Sequence, residues 1–166
     1  MSNIGRYFRK ILCTFTDPRF YSNYVHLPDS DETPQTIRNN TRLYPFFKDA
    51  LGTIDGTHIL CLPSQDEWAV ARNRKGLLTQ NCLTSCDFDL RFLYVLSGWE
   101  GSTADSTLYY NARQKDFPIP QGKYYLADAG FPLCPELLVP YRGVRYHLQE
   151  WRQSDRRCVY LSPFED

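Results

Sequence analysis

Apolar positions along the chain set the first expectations. Ile4, Phe8, Leu12 and Phe15 recur at helical spacing in MSNIGRYFRKILCTF. The chain is therefore expected to open on an amphipathic helix within residues 4 to 25, giving way to the aromatic-rich turn DPRFYSNYV. Residues 26 to 45 are polar and proline-punctuated, which predicts a connector with one short helical turn around Gln35 to Asn39. The pattern changes from Phe46. GTIDGTHILCL, NCLTSCDF and RFLYVLSGW place β-branched and apolar residues at strand spacing, and Asp87-Phe88-Asp89 between the last two predicts a hairpin turn. ADSTLYYNARQK reads as a helix through Leu108, Tyr109 and Ala112, with Asp105 or Ser106 as its cap. After the turn DFPIPQG, KYYLADAGF reads as a fourth strand, and beyond Pro140 the sequence is mostly loop-like.

Three strands with a hairpin, then a helix, then a strand predict an α/β domain with a mixed sheet. The fourth strand lies parallel beside the first, as in the first half of an RNase H-like core. The chain divides into a helical lead-in and linker (1–45), the core (46–151) and a divergent C-terminal tail (152–166). At 166 residues it suits one domain able to bury a core.

Composition narrows the class without naming it. The chain is 42% hydrophobic and 23% charged, and no run approaches the ~20 apolar residues of a membrane span. The N-terminus lacks the hydrophobic core and cleavage site of a signal peptide. Formal net charge is zero, whereas a nucleic-acid-binding domain usually has a basic footprint. Charge is uneven, however. Arg6, Arg9 and Lys10 crowd the start, and Arg142, Arg145, Arg152, Arg156 and Arg157 crowd the end. Each cluster fits either phosphate contact or a solvated face. The six cysteines are irregularly spaced, and without a secretion signal they are expected to be reduced and structural. Cys82, Cys86 and His58 give the one hint of zinc, but no Cys-x-x-Cys pair supports it.

Two residues stand out chemically. Asp55 ends an apolar run and is followed by Gly56; Asp128 follows Tyr125, Leu126 and Ala127 and precedes Ala129 and Gly130. A carboxylate among apolar strand residues is costly unless paired. Two on adjacent strands repel when both are ionised, unless a cation intervenes. A divalent ion such as Mg²⁺ or Mn²⁺ resolves both problems, and two-metal sites clamp the attacking and leaving oxygens of an in-line phosphoryl displacement. The plainer reading is that both aspartates cap turns beside their glycines.

The stretches YPFFKDALG (44–52), GTIDGTHI (52–59), NRKGLLTQNCLTSCDFDLRFLYVLSGWEGSTADS (73–106), KYYLADAGFP (123–132) and PYRGVRYHLQEW (140–151) together resemble the catalytic domain of PIF/Harbinger-type DDE transposases. That family includes the domesticated Harbinger transposase-derived nucleases. The resemblance implies an RNase H-like DNA endonuclease in which three carboxylates hold two divalent ions, Mg²⁺ or Mn²⁺. These activate water, and then a DNA 3′-hydroxyl, for phosphodiester attack. It places the first catalytic acid at Asp55 and the second at Asp128. Asp105, in GSTADS, matches a position the family usually fills with Asp and joins the metal site, although helix capping explains it equally well. His58 either rims the site or is a satisfied core histidine. Asn73, Arg74, Lys75, Gln80 and Asn81 form a polar stretch able to meet a DNA backbone, or a solvated hairpin approach. Implied partners are DNA and a separate Myb-like DNA-binding protein, with room for a homo-oligomer. The implied location is the nucleus, and no membrane is involved.

The pattern breaks at the third acid. The family's catalytic Glu lies within an arginine-rich helical motif, whereas this chain reads RQSDRRCVYLSPFED after Trp151. Glu150, Glu165 and Asp166 do not match that position. The expectation is a nuclease core incomplete before its final helix. The alternative is a catalytically inactive remnant that acts as a DNA- or protein-interaction module. A third expectation is a wrong gene model, with read-through into an intron or a shifted frame after Trp151 and a true product that continues into the missing helix.

Overall fold

A computed structural model of the chain describes residues 3–29 and 32–141. Arg142 to Arg157, Cys158, Glu150, Glu165 and Asp166 lie outside the described residues.

Helix α1 spans Asn3–Phe15 and buries none of its residues. The expected aromatic turn after it is instead a second helix, α2 (Pro18–Tyr24). Asp17 explains the correction: its carboxylate accepts from the Arg19 N–H, and Pro18 follows at the first helical position, where its fixed φ suits a helix start. The short helical turn of the linker is α3 (Gln35–Arg38), anchored by buried Ile37.

The body of the protein is a five-stranded mixed sheet in the order β3-β2-β1-β4-β5. Its strands are β1 (Ala50–Leu60), β2 (Thr79–Cys86), β3 (Phe92–Glu100), β4 (Tyr124–Leu126) and β5 (Leu137–Leu138). β1 pairs antiparallel with β2, and β2 antiparallel with β3. β4 lies parallel to β1 on its other side, and β5 parallel to β4. The chain is thus α/β with a mixed sheet. β5 escapes prediction because two residues carry no periodicity. Between β1 and β2 the chain makes a 3₁₀ turn and a short helix, α4 (Trp68–Ala71).

The β2–β3 hairpin closes where Asp87-Phe88-Asp89 predicts it. The Asp87 carboxylate accepts from the Asp89 and Arg91 N–H groups at 2.9 and 2.8 Å, an Asx-type closure. The loop brings Leu90 to φ 63°, in the left-handed region.

The helix after β3, α5, runs Asp105–Lys115 and buries Leu108, Tyr109 and Ala112 against the sheet. An aromatic cluster extends this core: the Phe117 ring sits 4.7 Å from Tyr94 and 5.1 Å from Tyr125, and Tyr109 meets Phe131 edge-on. Tyr94 donates its hydroxyl to Asp116 at 2.6 Å. The core therefore fixes α5 over the sheet and the end of β4 beside β1, the two placements on which the site depends.

Candidate active site

Asp55 lies on β1 opposite Thr84 of β2, and its carboxylate accepts from the Gly56 N–H at 2.8 Å. Asp128 is not on a strand as expected. It falls just past the end of β4, where its carboxylate accepts from the Gly130 N–H at 2.9 Å. Because β4 runs parallel to β1, the strand carrying one aspartate and the strand leading to the other are neighbours in the sheet. Both aspartates remain open to solvent.

Asp105 joins them from the other element. Neither Asp105 nor Ser106 caps α5, which corrects the capping reading. The N-cap position is Ala104, with no side-chain bond, and Asp105 is the first helical residue. The Asp105 carboxylate turns instead toward β1 and β2, where it accepts from the Asn81 side-chain amide at 3.0 Å. It lies over Gly56, where an added Cβ would overlap it, and a Cβ on Gly130 would come within 3.6 Å of it. Glycine at position 56 leaves the room that the carboxylate occupies.

The three aspartates are close enough to feel one another. The carboxyl group of Asp55 is pushed above its ordinary value of 3.8, first by partial burial and then by the negative charges of Asp128 and Asp105, against the opposing pull of the Gly56 N–H. Among the described residues no group of three or more His, Cys, Asp or Glu is arranged to hold a metal ion.

The polar stretch predicted to meet DNA divides in two. Asn73 closes a tight turn, its side-chain oxygen accepting from the N–H groups of Lys75 and Leu77. Arg74 and Lys75 at that turn are exposed, and so is Gln80. Asn81 is fully buried and faces inward. Its amide donates to the Thr103 carbonyl and to Asp105, and its oxygen has no partner among the described residues. Sequence reasoning missed this support role. The available signal is position: Thr79, Asn81, Leu83 and Ser85 alternate inward on β2, and an asparagine there needs bonding partners.

His58 is exposed, and its Nδ1 lies 3.1 Å from the Thr79 hydroxyl. It pairs across the ladder with Asn81, whereas Cys86 pairs with Thr53. Those registers are five β1 residues apart, about 17 Å at strand rise, too far for His58 and Cys86 to share one zinc. Cys82 is buried, which pushes its thiol up. The five described cysteines are free.

With this geometry in view, the comparisons with known proteins decide the family. The model of the DDE superfamily endonucleases matches residues 54–160. The chain belongs to the DDE superfamily endonucleases. It is 26% identical over 122 residues to rat and to mouse "Putative nuclease HARBI1", covering 72% of this chain and 35% of each relative. It is 31% identical over 113 residues to "Protein ALP1-like" of Arabidopsis thaliana, covering 55% of this chain and 27% of that one. The chain thus spans about a third of the length of these relatives. The names fit a Harbinger-derived lineage. No solved structure matches the chain. Among the described residues no helix is long and apolar enough to cross a membrane.

Proposed function

We propose that this chain carries the core of a divalent-metal-dependent DNA endonuclease in an RNase H-like fold, with Asp55 and Asp128 as catalytic carboxylates and Asp105 as a third acid of the metal site. One observation carries the reading. The parallel pairing of β4 with β1 brings Asp128, just past the end of β4, to the neighbourhood of Asp55 in the middle of β1, and α5 lays the Asp105 carboxylate over Gly56 and near Gly130. The strand order supports the fold assignment, and membership of the endonuclease family supports the chemistry.

The donor set fits Mg²⁺ or Mn²⁺. All three groups are hard oxygen donors, and the partial burial and, after it, the repulsion by Asp128 and Asp105 that raise Asp55 are what a cation would relieve. Mg²⁺ keeps several waters and takes one or two carboxylates plus substrate phosphates, so it needs no closed protein cage. When bound, such an ion supplies Lewis acidity for in-line attack on a phosphodiester. The protein's own contribution is positioning. Gly56 and Gly130 donate backbone N–H bonds that orient the carboxylates of Asp55 and Asp128, and Asn81 keeps Asp105 turned toward β1. The core of this proposal is residues 46–151, with 1–45 as lead-in. A nuclear location, a Myb-like DNA-finding partner and self-association belong to the same proposal.

A plasmid-nicking assay tests the reading on wild type, Asp55→Asn and Asp128→Asn, with Mg²⁺ or Mn²⁺ and with EDTA. Metal-dependent nicking lost in both variants is the expected result. Equal nicking in all three proteins, or none from folded wild type, overturns it.

A further inference from the structure

Arg74 and Lys75 line the same cleft as Asp105. The turn carrying them is built by Asn73: the Gly76 N–H donates to the Asn73 carbonyl, the Asn73 N–H to the Leu77 carbonyl, and the Asn73 side chain accepts from Lys75 and Leu77. Neither cation takes part in those bonds through its side chain. Both are exposed, and neither is in an ion pair among the described residues. The turn's backbone is held by these hydrogen bonds, and its two charged side chains are exposed without an ion-pair partner among the described residues.

The same two residues line a cleft of about 390 Å³ together with His58 from β1 and Thr103 and Asp105 at the start of α5. That volume lies within the range of small-ligand sites, about 300–1,000 Å³. The cleft therefore joins a cationic turn to one carboxylate of the acidic group. A strand of DNA brought to Asp55, Asp105 and Asp128 meets three negative charges, and its own phosphates are repelled there. Compensating positive charge is useful only if it lies along the same strand, near the cut. Among the described residues, Arg74 and Lys75 are the cations that share a cleft with Asp105.

We infer that this cleft is a phosphodiester-binding subsite, in which Arg74 and Lys75 hold a backbone phosphate of the DNA strand next to the one presented to the aspartates. The inference rests on the proposed DNA endonuclease reading and adds to it where the strand lies. Phosphate contacts of this kind position without reading sequence, so the subsite acts on all sequences alike.

Binding of a short fluorescent duplex, followed by anisotropy across 50–200 mM salt with EDTA and again with Ca²⁺, tests it on the full chain. Each phosphate contact contributes about 0.9 to the slope of log K against log salt. The Arg74→Ala/Lys75→Ala double variant is expected to lower the slope by about 1–2 and to weaken binding on every duplex alike, with an unchanged melting temperature. Arg42→Ala, an exposed cation outside the cleft, should leave the slope as it is. A wild-type slope in the double variant, or an equal loss in Arg42→Ala, overturns the subsite while DNA binding itself stands. A wild type that binds no duplex at any salt overturns both the subsite and the DNA reading beneath it.

Discussion

Asn81→Ala removes a fully buried amide from between α5 and the sheet. The bond to the Asp105 carboxylate is charge-assisted, worth about 1.5–3 kcal/mol, and the bond to the Thr103 carbonyl about 0.5–1.5 kcal/mol. Against that loss, the variant also removes the Asn81 side-chain oxygen, which is buried without a partner among the described residues and costs about 1–3 kcal/mol. The difference is a net destabilisation of about 1–2 kcal/mol. For a chain of this size, that is a melting-temperature drop of about 2–8 °C. Urea unfolding should show a lower midpoint at an unchanged slope, since no additional surface is exposed. Released from Asn81, Asp105 also loses its orientation toward β1. Mn²⁺ affinity, measured by calorimetry, is then expected to fall about tenfold, the lower end of what outer-shell partners contribute. An unchanged unfolding midpoint together with unchanged Mn²⁺ affinity would refute the reasoning, because it would mean that Asp105 keeps its place without the amide.

Two further perturbations read other parts of the structure. Asp55→Asn should raise the melting temperature of the metal-free protein at pH 7. The folded-state carboxyl is held above its ordinary value of 3.8, so its ionisation costs stability as pH rises through the folded value, and the advantage of Asn should vanish as pH falls below about 3.8; a pH series of thermal melts in EDTA checks this, and a variant less stable than wild type at pH 7 contradicts it. Leu90→Gly should stabilise by about 1 kcal/mol, because Leu90 holds φ 63° in the hairpin turn while its side chain stays 83% exposed; denaturant unfolding gives the sign directly.

Much of the fold is legible along the chain because its elements are locally coded. Strands β1, β2 and β3 are runs of β-branched and apolar residues, and α5 carries its apolar face at helical spacing, so each is found within a few residues of its true bounds. Asp87 announces the hairpin because its side chain closes a loop within reach of its own backbone. Reading fails where residue type misleads or where the deciding partner is distant. The second helix, α2, is locally coded by Asp17 and Pro18, yet its aromatic residues resemble a turn. β5 exists only because β4 offers it an edge. Asp105 resembles a cap, since a carboxylate in the first turn of a helix is favourable in any context; its bond to Asn81 depends on a strand 24 residues away.

The sequence by itself determined the order of β1 to β4 and α5, the family resemblance and the two acids beside glycines, because these depend on residue type and short-range spacing. Only the tertiary structure decided that Asp55, Asp128 and Asp105 share one place, that Asn81 is a buried support and that Arg74 and Lys75 share a cleft with Asp105. Those facts follow from the parallel pairing of β4 with β1 and the packing of α5 on the sheet. Burial of Leu108, Tyr109, Phe117 and Tyr125 drives that packing, and no local pattern records where a buried side chain finds its neighbours.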